Sequence, residues 1–364
     1  MKIAEIIEII ENFAPLSYQE SYDNAGLLVG NKTNNCTGVL VCLDAVEAVL
    51  DEAIAKKCNL IVAHHPIIFS GLKKITGKNY IERVVIKAIK QDISIYACHT
   101  NLDNVQLGVN KIIADKIGLK NTKILSPKTH LLKKLYTYVP AKNRDNLLNA
   151  LFQAGAGNIS NYSECSFSTE GLGTFKGNEK STPYLGEINK RSAELEQKVE
   201  VIFPAYLASK IVKTLKANHP YEEVAYEIIT LDNAYQEVGS GMIGELEKPM
   251  AEKEFLTFLK HKMKTKCIRH TALLKKKIKK VAVCGGAGSF LLADAKDQQA
   301  DIFITADFKY HQFFDADNQI LIADIGHFES EQFTAQLFNK IISDKFPTFA
   351  VQISTINTNP INYI

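Results

Sequence analysis

The feature that most constrains the fold is an alternation of short apolar runs with helical periodicity at both ends of the 364-residue chain. Short runs rich in Val and Ile have the length of strands, and the segments between them have the apolar spacing of helices. In the first part we expect strands at 39–43, 60–63 and 93–98, and helices at 46–57, 80–90 and 109–117. In the last part we expect strands at 278–284, 302–305, 320–323 and 348–353, and helices at 289–299, through Tyr310 and at 328–344. This alternation predicts that the two parts complete one mostly parallel sheet with helices on its faces.

The region between these parts has a different pattern. We expect a strand at 135–139, a helix to about residue 154, a strand at 159–167, a Gly-rich loop or hairpin, a strand at 198–203, a helix to about residue 217 and a strand at 224–231. Pro140 and Pro204 precede the two helices, where the missing N–H of proline has no partner to lose. The order β-α-β-β-α-β is typical of ferredoxin-like domains. The prediction is an α/β fold, with a two-part α/β core at 1–130 and 246–364 and an inserted ferredoxin-like domain at 131–245.

Composition narrows the class of protein. No uncharged apolar run reaches the length of a membrane span, and the N-terminus lacks the features of a secretion signal. The seven cysteines form no CxxC pair, and several lie inside apolar runs, which indicates reduced thiols and a cytoplasmic protein. The Lys-rich stretch at 275–280 lacks interleaved aromatic residues, and the net charge is only +3, which argues against nucleic-acid binding.

Histidine and carboxylate side chains follow three of the expected strands, near the point where each strand ends. In open parallel sheets the carboxyl ends of the strands form the edge where ligands bind, so we expect these side chains to share one site. The candidate metal ligands at this edge are His64, His65, Asp103, His327 and Glu331.

The spacing of these residues is compatible with metal binding. Adjacent side chains in a regular strand point to opposite faces, so His64 and His65 either contact two neighbouring ions or converge where the chain bends at Pro66. His327 and Glu331 are four residues apart at the start of a helix and share one face, where the carboxylate can bridge two metals. A mixed set of imidazoles and carboxylates suits Zn, Fe, Mn or Co. We therefore expect a pair of divalent transition-metal ions.

Other residues at the same edge have two interpretations each. His99 and Asp324 either orient metal ligands or cap turns. The Gly-rich turn after the strand at 278–284 either holds a phosphate with its backbone N–H groups or is a tight strand–helix connection. Its candidate phosphate-binding residues are Gly285, Gly286, Gly288 and Ser289. Asp307, Tyr310 and His311 follow the strand at 302–305 and could face the same cleft, His311 as a further partner of the ligands.

Six segments together resemble one known family, that of the GTP cyclohydrolase 1 type 2 homologues, also called the NGG-interacting-factor-three-like family. These segments are DNAGLLVG at 23–30, HHP at 64–66, HTNLD at 99–103, GGAGS at 285–289, TAD at 305–307 with His311, and GH at 326–327 with Glu331. The resemblance covers nearly the whole chain. It implies that the five candidate ligands hold two metal ions, with Glu331 bridging. Of the metals that suit these donors, zinc is the one we expect.

The resemblance also carries expectations about assembly and about the middle region. The segment HPYEEVAY at 219–226 is similar to part of the CutA-like and PII-like domain inserted in longer members. Such members form homohexameric rings, built as trimers of dimers, with the metal sites facing the internal cavity. The chain departs from the usual pattern at Tyr22, Ala25 and Ala306, where Trp, Val and Gly are common, and none of these is a candidate ligand.

The function implied by the resemblance is a dinuclear metal-dependent hydrolase of the GTP cyclohydrolase type. In that reaction water attacks the purine ring of the nucleotide and formate is released. One alternative is a non-catalytic protein that binds or delivers metal, or that regulates through its inserted domain. A metal-dependent phosphoesterase is the other, because the spacing of five ligands does not select a purine ring.

Overall fold

Two sheets, rather than one, form the larger unit of the computed structural model, which describes residues 1–364. This unit comprises residues 1–126 and 238–364, and a smaller unit comprises residues 127–237. The strands are β1 Gly26–Val29, β2 Val39–Asp44, β3 Leu60–His65, β4 Ser94–Ala97, β5 Lys120–Lys128, β6 Leu132–Pro140, β7 Ser166–Phe175, β8 Ser192–Pro204, β9 Tyr226–Leu231, β10 Tyr235–Ala251, β11 Arg269–His270, β12 Lys277–Ala287, β13 Ile302–Ala306, β14 Leu321–Asp324 and β15 Val351–Ile353. The α-helices are α1 Ile3–Phe13, α2 Glu47–Ala55, α3 Tyr80–Lys90, α4 Thr100–Asn104, α5 Val109–Ile117, α6 Arg144–Gln153, α7 Ala208–Asn218, α8 Glu252–Lys262, α9 Leu292–Asp297, α10 His327–Glu331 and α11 Thr334–Lys345. No helix has the length and apolar character needed to span a membrane.

The first sheet has the order β1-β4-β3-β2-β15, with β4, β3, β2 and β15 parallel and β1 antiparallel. The second has the order β11-β14-β13-β12-β10-β5, with β12, β13 and β14 parallel. The prediction that both parts of the chain complete a single sheet is therefore wrong. The strands β1 and β15 form the two edges of the first sheet. The alternating pattern did not reveal β1, and it predicted the strand that contains β15 but not its pairing with β2.

The core of the first sheet explains its continuous apolar runs. In β2 and β3 almost every residue is buried, because both faces of a parallel sheet are covered. Leu40 and Ile61 pack in the same cluster as Leu50 of α2 and Val84 of α3. Replacing one of these buried side chains by Ala would cost about 2–5 kcal/mol. This rigid core fixes the strand end that carries His64 and His65.

Several element boundaries differ from the sequence prediction. The helix expected at 328–344 is broken into α10 and α11, so that His327 and Glu331 belong to a separate short helix. The strand expected at 159–167 runs instead over Ser166–Phe175, and it includes part of the stretch expected to be a loop. Gly171 and Gly173 lie in this strand, because its pairing with β8 continues through both positions.

The unit of residues 127–237 contains β6, α6, β7, β8, α7 and β9 in that order. Its sheet has the order β7-β8-β6-β9, and every pair is antiparallel. A short 3-10 turn follows Pro140 and another follows Pro204, and each turn continues into a helix. Leu147 of α6 and Ile211 of α7 pack in one cluster with Leu135 of β6. Both helices thus contribute to the core of this unit.

Candidate metal centre

The candidate ligands come from the carboxyl ends of strands in both sheets of the larger unit. His64 and His65 are the last residues of β3, and Asp103 lies in α4, which follows β4. His327 begins α10 shortly after β14, and Glu331 ends that helix. The fold therefore places side chains of the first and second sheets at the same location.

The five side chains form two groups that share Glu331. In one group, Nε2 of His64 lies 3.5 Å from Oδ1 of Asp103 and 3.8 Å from Oε1 of Glu331. In the other, Oε2 of Glu331 lies 3.0 Å from Nε2 of His65 and 3.1 Å from Nε2 of His327. The two histidine Nε2 atoms of this second group are 3.3 Å apart. Each of these groups could hold a metal ion.

The surroundings of the His64 ring fit a bound cation. Its Nδ1 atom lies 2.9 Å from the carbonyl oxygen of Cys98. A carbonyl oxygen only accepts, so Nδ1 carries the proton and Nε2 presents a lone pair. This Nε2 atom and Oδ1 of Asp103 are both buried without a hydrogen-bond partner. Such unpaired groups cost about 1–3 kcal/mol each, and a metal ion between them would satisfy both.

Carboxylates orient the other two imidazoles in the same way. Nδ1 of His65 lies 2.7 Å from Oδ1 of Asp44, and Nδ1 of His327 lies 2.6 Å from Oδ2 of Asp307. A carboxylate at Nδ1 favours the tautomer in which Nε2 is free to bind a metal, and it raises the basicity of the ring. All three histidines therefore direct Nε2 toward the Glu331 carboxylate.

The pKa shifts show an excess of negative charge at the site. Burial alone would lower the pKa of His65, but hydrogen bonds to Asp44 and Glu331 raise it to about 10. Burial alone would also lower the pKa of His327, but the negative charge of Glu331 raises it to about 11. Burial and the nearby Glu331 raise the pKa of Asp103. Without a metal these groups retain protons to balance the charge, so the donor set fits a cation.

A glycine permits the close approach of β12 to the shared carboxylate. Gly286 has φ +62°, and a Cβ added there would lie 2.5 Å from Oε1 of Glu331. Its N–H donates to Oγ of Ser330 at 2.9 Å. Any larger residue at position 286 would press on Glu331 and would also adopt a strained left-handed conformation.

The backbone of this Gly-rich turn is not a phosphate cradle, which corrects one of the two interpretations made from the sequence. Strand β12 continues through Ala287, and its turn donors bond to protein groups instead. The N–H groups of Gly285, Gly286 and Gly288 donate to Oδ1 of Asn110, Oγ of Ser330 and Oγ1 of Thr305, and Oγ of Ser289 accepts from Gln312. The tight-connection interpretation agrees with this geometry.

His99 lies beside the two groups. Its ring centroid is 5.3 Å from that of His64 and 5.4 Å from that of His65. Nδ1 of His99 is 2.8 Å from Oδ1 of Asp23, whose other oxygen accepts from the Thr100 backbone N–H at 3.0 Å. Burial alone would raise the pKa of Asp23, but the hydrogen bonds from His99 and Thr100 lower it to about 2. His99 thus has the same oriented tautomer as His65 and His327.

Two other residues predicted to support the ligands have different surroundings. Asp324 is buried and organises turns: Oδ2 accepts from the Phe308 N–H at 2.9 Å and pairs with Arg269, and Oδ1 accepts from the Gly326 N–H at 3.1 Å. It hydrogen-bonds no candidate ligand, although it holds the residue before His327. The structure does not bring His311 to the site. His311 is exposed on the 3-10 segment at 310–316, where its ring contacts Tyr310 and Phe314.

The sequence interpretation missed Asp44. It is the last residue of β2, so the rule that placed the histidines at strand ends would also have placed Asp44 at this edge. Its oxygens are shared between His65 and the Thr358 hydroxyl. Asp307 was expected to face the cleft, and the structure places its carboxylate against His327.

A cavity of about 460 Å³ opens beside the candidate ligands. Its wall includes His65, His99 and Glu331 together with the rings of Tyr22, Phe69 and Phe290. The Phe69 ring contacts both Tyr22 and His99, at centroid distances of 6.4 and 6.3 Å. The site therefore combines ion-binding atoms with aromatic surface that a small organic molecule could contact.

Comparison with known proteins gives matches over the full length. A family model described as Duf34/NIF3 (NGG1p interacting factor 3) matches residues 1–360. A Bacillus subtilis (strain 168) protein named GTP cyclohydrolase 1 type 2 homolog is 37% identical over 365 residues, which cover 99% of this chain and 98% of that protein. A protein of the same name from Halalkalibacterium halodurans is 38% identical over 372 residues, which cover 100% of both.

Two solved structures extend the similarity to the fold. A Bacillus cereus protein related to NIF3 is 36% identical, with a TM-score of 0.88 and coverage of 100% of this chain and 99% of that one. The Staphylococcus aureus protein SA1388 is 32% identical, with a TM-score of 0.79 and the same coverage.

Proposed function

This chain belongs to the Duf34/NIF3 family, and we propose that its candidate metal centre holds two divalent transition-metal ions and catalyses a hydrolysis of the GTP cyclohydrolase type. The observation that carries the proposal is the pair of ligand groups that share Glu331, each facing one of its oxygens. Two ions in these positions would supply Lewis-acid chemistry that lowers the pKa of water and polarises an electrophile.

The metal part of the proposal follows from the donor atoms. His64 and Asp103 would hold one ion and His65 and His327 the other, with Glu331 bridging. Nitrogen and oxygen donors of this kind suit zinc best, and Fe, Mn or Co also fit. The unpaired buried atoms of His64 and Asp103 support binding of positive charge at the first position. At the second, Nε2 of both His65 and His327 points at the same Glu331 oxygen.

The catalytic part depends on residues that touch the cavity. We propose that His99 moves a proton to or from the substrate, because Asp23 fixes the proton on Nδ1 and leaves Nε2 as a base. The Tyr22, Phe69 and Phe290 rings would contact a purine ring and exclude water around it. The names of the curated relatives, which contain the words GTP cyclohydrolase 1 type 2, motivate the choice of GTP as substrate.

Elemental analysis of untreated full-length protein tests the metal assignment. We expect about two ions per chain, and His65→Ala should lose at least one of them, because it removes a donor of the second group. The matched control is His261→Ala, at an exposed histidine of α8, which should keep the full content. Full metal content in both variants would contradict the assignment.

Formate release from GTP tests the reaction. Release should stop after chelation and return when metal is added back. If no metal restores formate release although both ions bind, the hydrolase proposal fails and the protein is a non-catalytic metal-binding or regulatory protein. Release of phosphate instead of formate would indicate the phosphoesterase alternative.

We further propose that the chain assembles into a homohexamer, a trimer of dimers, as the family resemblance implies. The rings of Tyr310 and Phe314, which are 74% and 67% exposed, support an interface in the larger unit. Light scattering on the eluting protein measures its mass, and a monomer at micromolar concentration would contradict this proposal.

A further inference from the structure

A cavity of about 710 Å³ lies within the unit of residues 127–237 and is not used by the proposed reaction. Its wall is formed by β7, the loop at 176–185, part of β8 and the turn before β9. Sites for small organic molecules have volumes of about 300–1,000 Å³. The cavity is therefore large enough for such a molecule.

Aromatic rings gather around Tyr221 in this wall. The Tyr221 ring centroid lies 6.2 Å from that of Tyr184 and 6.3 Å from that of Phe175. The ammonium group of Lys142 lies 5.0 Å from the centroid of the Tyr184 ring, so one of these rings already binds a positive charge. Aromatic faces carry negative electrostatic potential and attract cations.

Carboxylates in the same wall have no cationic partner. Glu196, Glu222 and Glu223 line the cavity, and none forms an ion pair. Oε1 of Glu196 accepts a hydrogen bond from the Tyr221 hydroxyl at 2.7 Å. This bond fixes the Glu196 carboxylate beside the central ring of the aromatic group.

The basic residues of the wall do not balance these charges. The Lys198 ammonium is 3.1 Å from Oε1 of Glu200 and 4.4 Å from the centroid of the Tyr136 ring, so its charge is already compensated. Lys176 is the other lysine of the wall. The excess of carboxylates disfavours phosphates and other anions as ligands.

Glycine at position 173 permits the position of Glu196. A Cβ added to Gly173 would lie 2.1 Å from Oε2 of Glu196, so any larger side chain would displace that carboxylate. An inorganic metal ion is a poor occupant, because no three metal-binding atoms converge here as they do around Glu331.

We propose that this cavity binds a small organic cation, an amine or amidine with a flat or apolar body. Its charged group contacts the Glu196 carboxylate and its body lies against the rings of Tyr221, Tyr184 and Phe175. This inference is independent of the proposed hydrolase activity.

Three probes of nearly the same shape and different charge test the proposal by calorimetric titration of the full-length protein. Benzamidine is a cation at neutral pH, benzamide is neutral and benzoate is an anion. Benzamidine should bind with a Kd of about 1 mM or lower, and benzamide at least about tenfold more weakly. Benzoate should show no binding, because the carboxylates of the wall repel it.

Variants locate the binding in the cavity. Glu196→Gln keeps the shape of the side chain and should weaken benzamidine binding at least about tenfold. Its matched control is Glu179→Gln, at an exposed residue of the same loop that does not line the cavity, which should bind as the unmodified protein does. Tyr184→Leu, at a side chain that is 45% exposed, removes one aromatic face and should weaken binding several-fold without unfolding the protein.

Three results would overturn the proposal. They are the absence of benzamidine binding, equal affinities for benzamidine and benzamide, and unchanged affinity in both Glu196→Gln and Tyr184→Leu. Melting curves of the variants establish that a loss of binding does not reflect a loss of folding.

Discussion

The two cavities of this chain differ in how their polar atoms are arranged. Around Glu331, nitrogen and oxygen atoms of different side chains lie 3.0 to 3.8 Å apart, and two of them, Nε2 of His64 and Oδ1 of Asp103, have no hydrogen-bond partner. The cavity of residues 127–237 is lined by both carboxylates and aromatic rings, and one carboxylate, that of Glu196, already accepts a hydrogen bond from the Tyr221 hydroxyl. Several donor atoms that converge on one point suit a metal ion. Carboxylates accompanied by aromatic rings suit an organic cation that has an apolar or flat part. The surroundings of a carboxylate thus decide what it can bind.

Removing the smaller unit is the largest change that tests this difference. Strands β5 and β10 are neighbours in the second sheet. Gly244 lies against Lys120 and Gly241 against Leu125, so the two strands run antiparallel and a short turn can join them. A chain in which a short Gly-rich turn replaces residues 129–234 should therefore fold and keep its metal, but lose all benzamidine binding. Circular dichroism and elemental analysis measure this, and an unfolded product would contradict the independence of the larger unit.

Glu331→Gln should separate the two sites by charge alone. The amide keeps the shape of the side chain but removes the negative charge shared by both ligand groups, so metal content should fall from about two ions per chain to none. Benzamidine affinity should not change. The reciprocal control is Glu196→Gln, which should keep the full metal content while losing the organic cation. Metal retained in Glu331→Gln would show that this carboxylate does not bridge the ions.

Asp44→Asn should have a graded effect on metal alone. Asp44 does not belong to either ligand group but holds Nδ1 of His65 at 2.7 Å, and loss of such a partner weakens metal binding about 10–100-fold. Competition with a chelator of known affinity measures the change. Asp51→Asn, at an exposed carboxylate whose partner is Lys87, is the matched control. Equal metal affinity in both variants would mean that orientation of His65 does not depend on Asp44.

The smallest expected effect is a pH dependence of the metal-free protein. The pKa of His65 is about 10 in the folded chain, against 6.5 for the free side chain. The folded state therefore binds more protons than the unfolded state between these values, and the free energy of unfolding falls as pH rises through this range. Ionisation of Asp103, whose pKa is raised by burial and by Glu331, adds to the loss.

Calorimetry of chelated and metal-loaded protein measures this effect. The melting temperature of the chelated form should fall by a few degrees between neutral pH and about pH 10. The loaded form should not show this fall, because the ions take the place of the protons. The same slope in both forms would mean that these groups do not face the ions.

The structure brings the five candidate ligands close together, although the prediction of a single sheet was wrong. The local pattern correctly placed His65 and His327 near the carboxyl ends of strands, but it assigned them to one edge of one sheet, whereas β3 and β14 belong to different sheets. The division into two sheets could not be predicted, because it depends on pairings between distant segments. The pairing of β15 with β2 is one of these, and no local pattern in the sequence indicates it. At Gly171 and Gly173 a local signal gave the wrong prediction. Glycine favours loops, but both residues lie in β7, where the pairing with β8 continues. The close contact between Gly286 and the Glu331 carboxylate also joins distant segments. The spacing of residues in the sequence therefore could not predict that position 286 requires glycine.

His65 and Glu331, whose side-chain atoms lie 3.0 Å apart, are 266 positions apart in the chain. An ion held by both would close a very long loop, and such a cross-link restricts the unfolded chain much as a disulfide does. Unlike a disulfide, this metal cross-link is lost when the ion is removed, and its formation requires no oxidant. Metal supply would therefore govern how long each copy resists unfolding and proteolysis, as well as whether it is active.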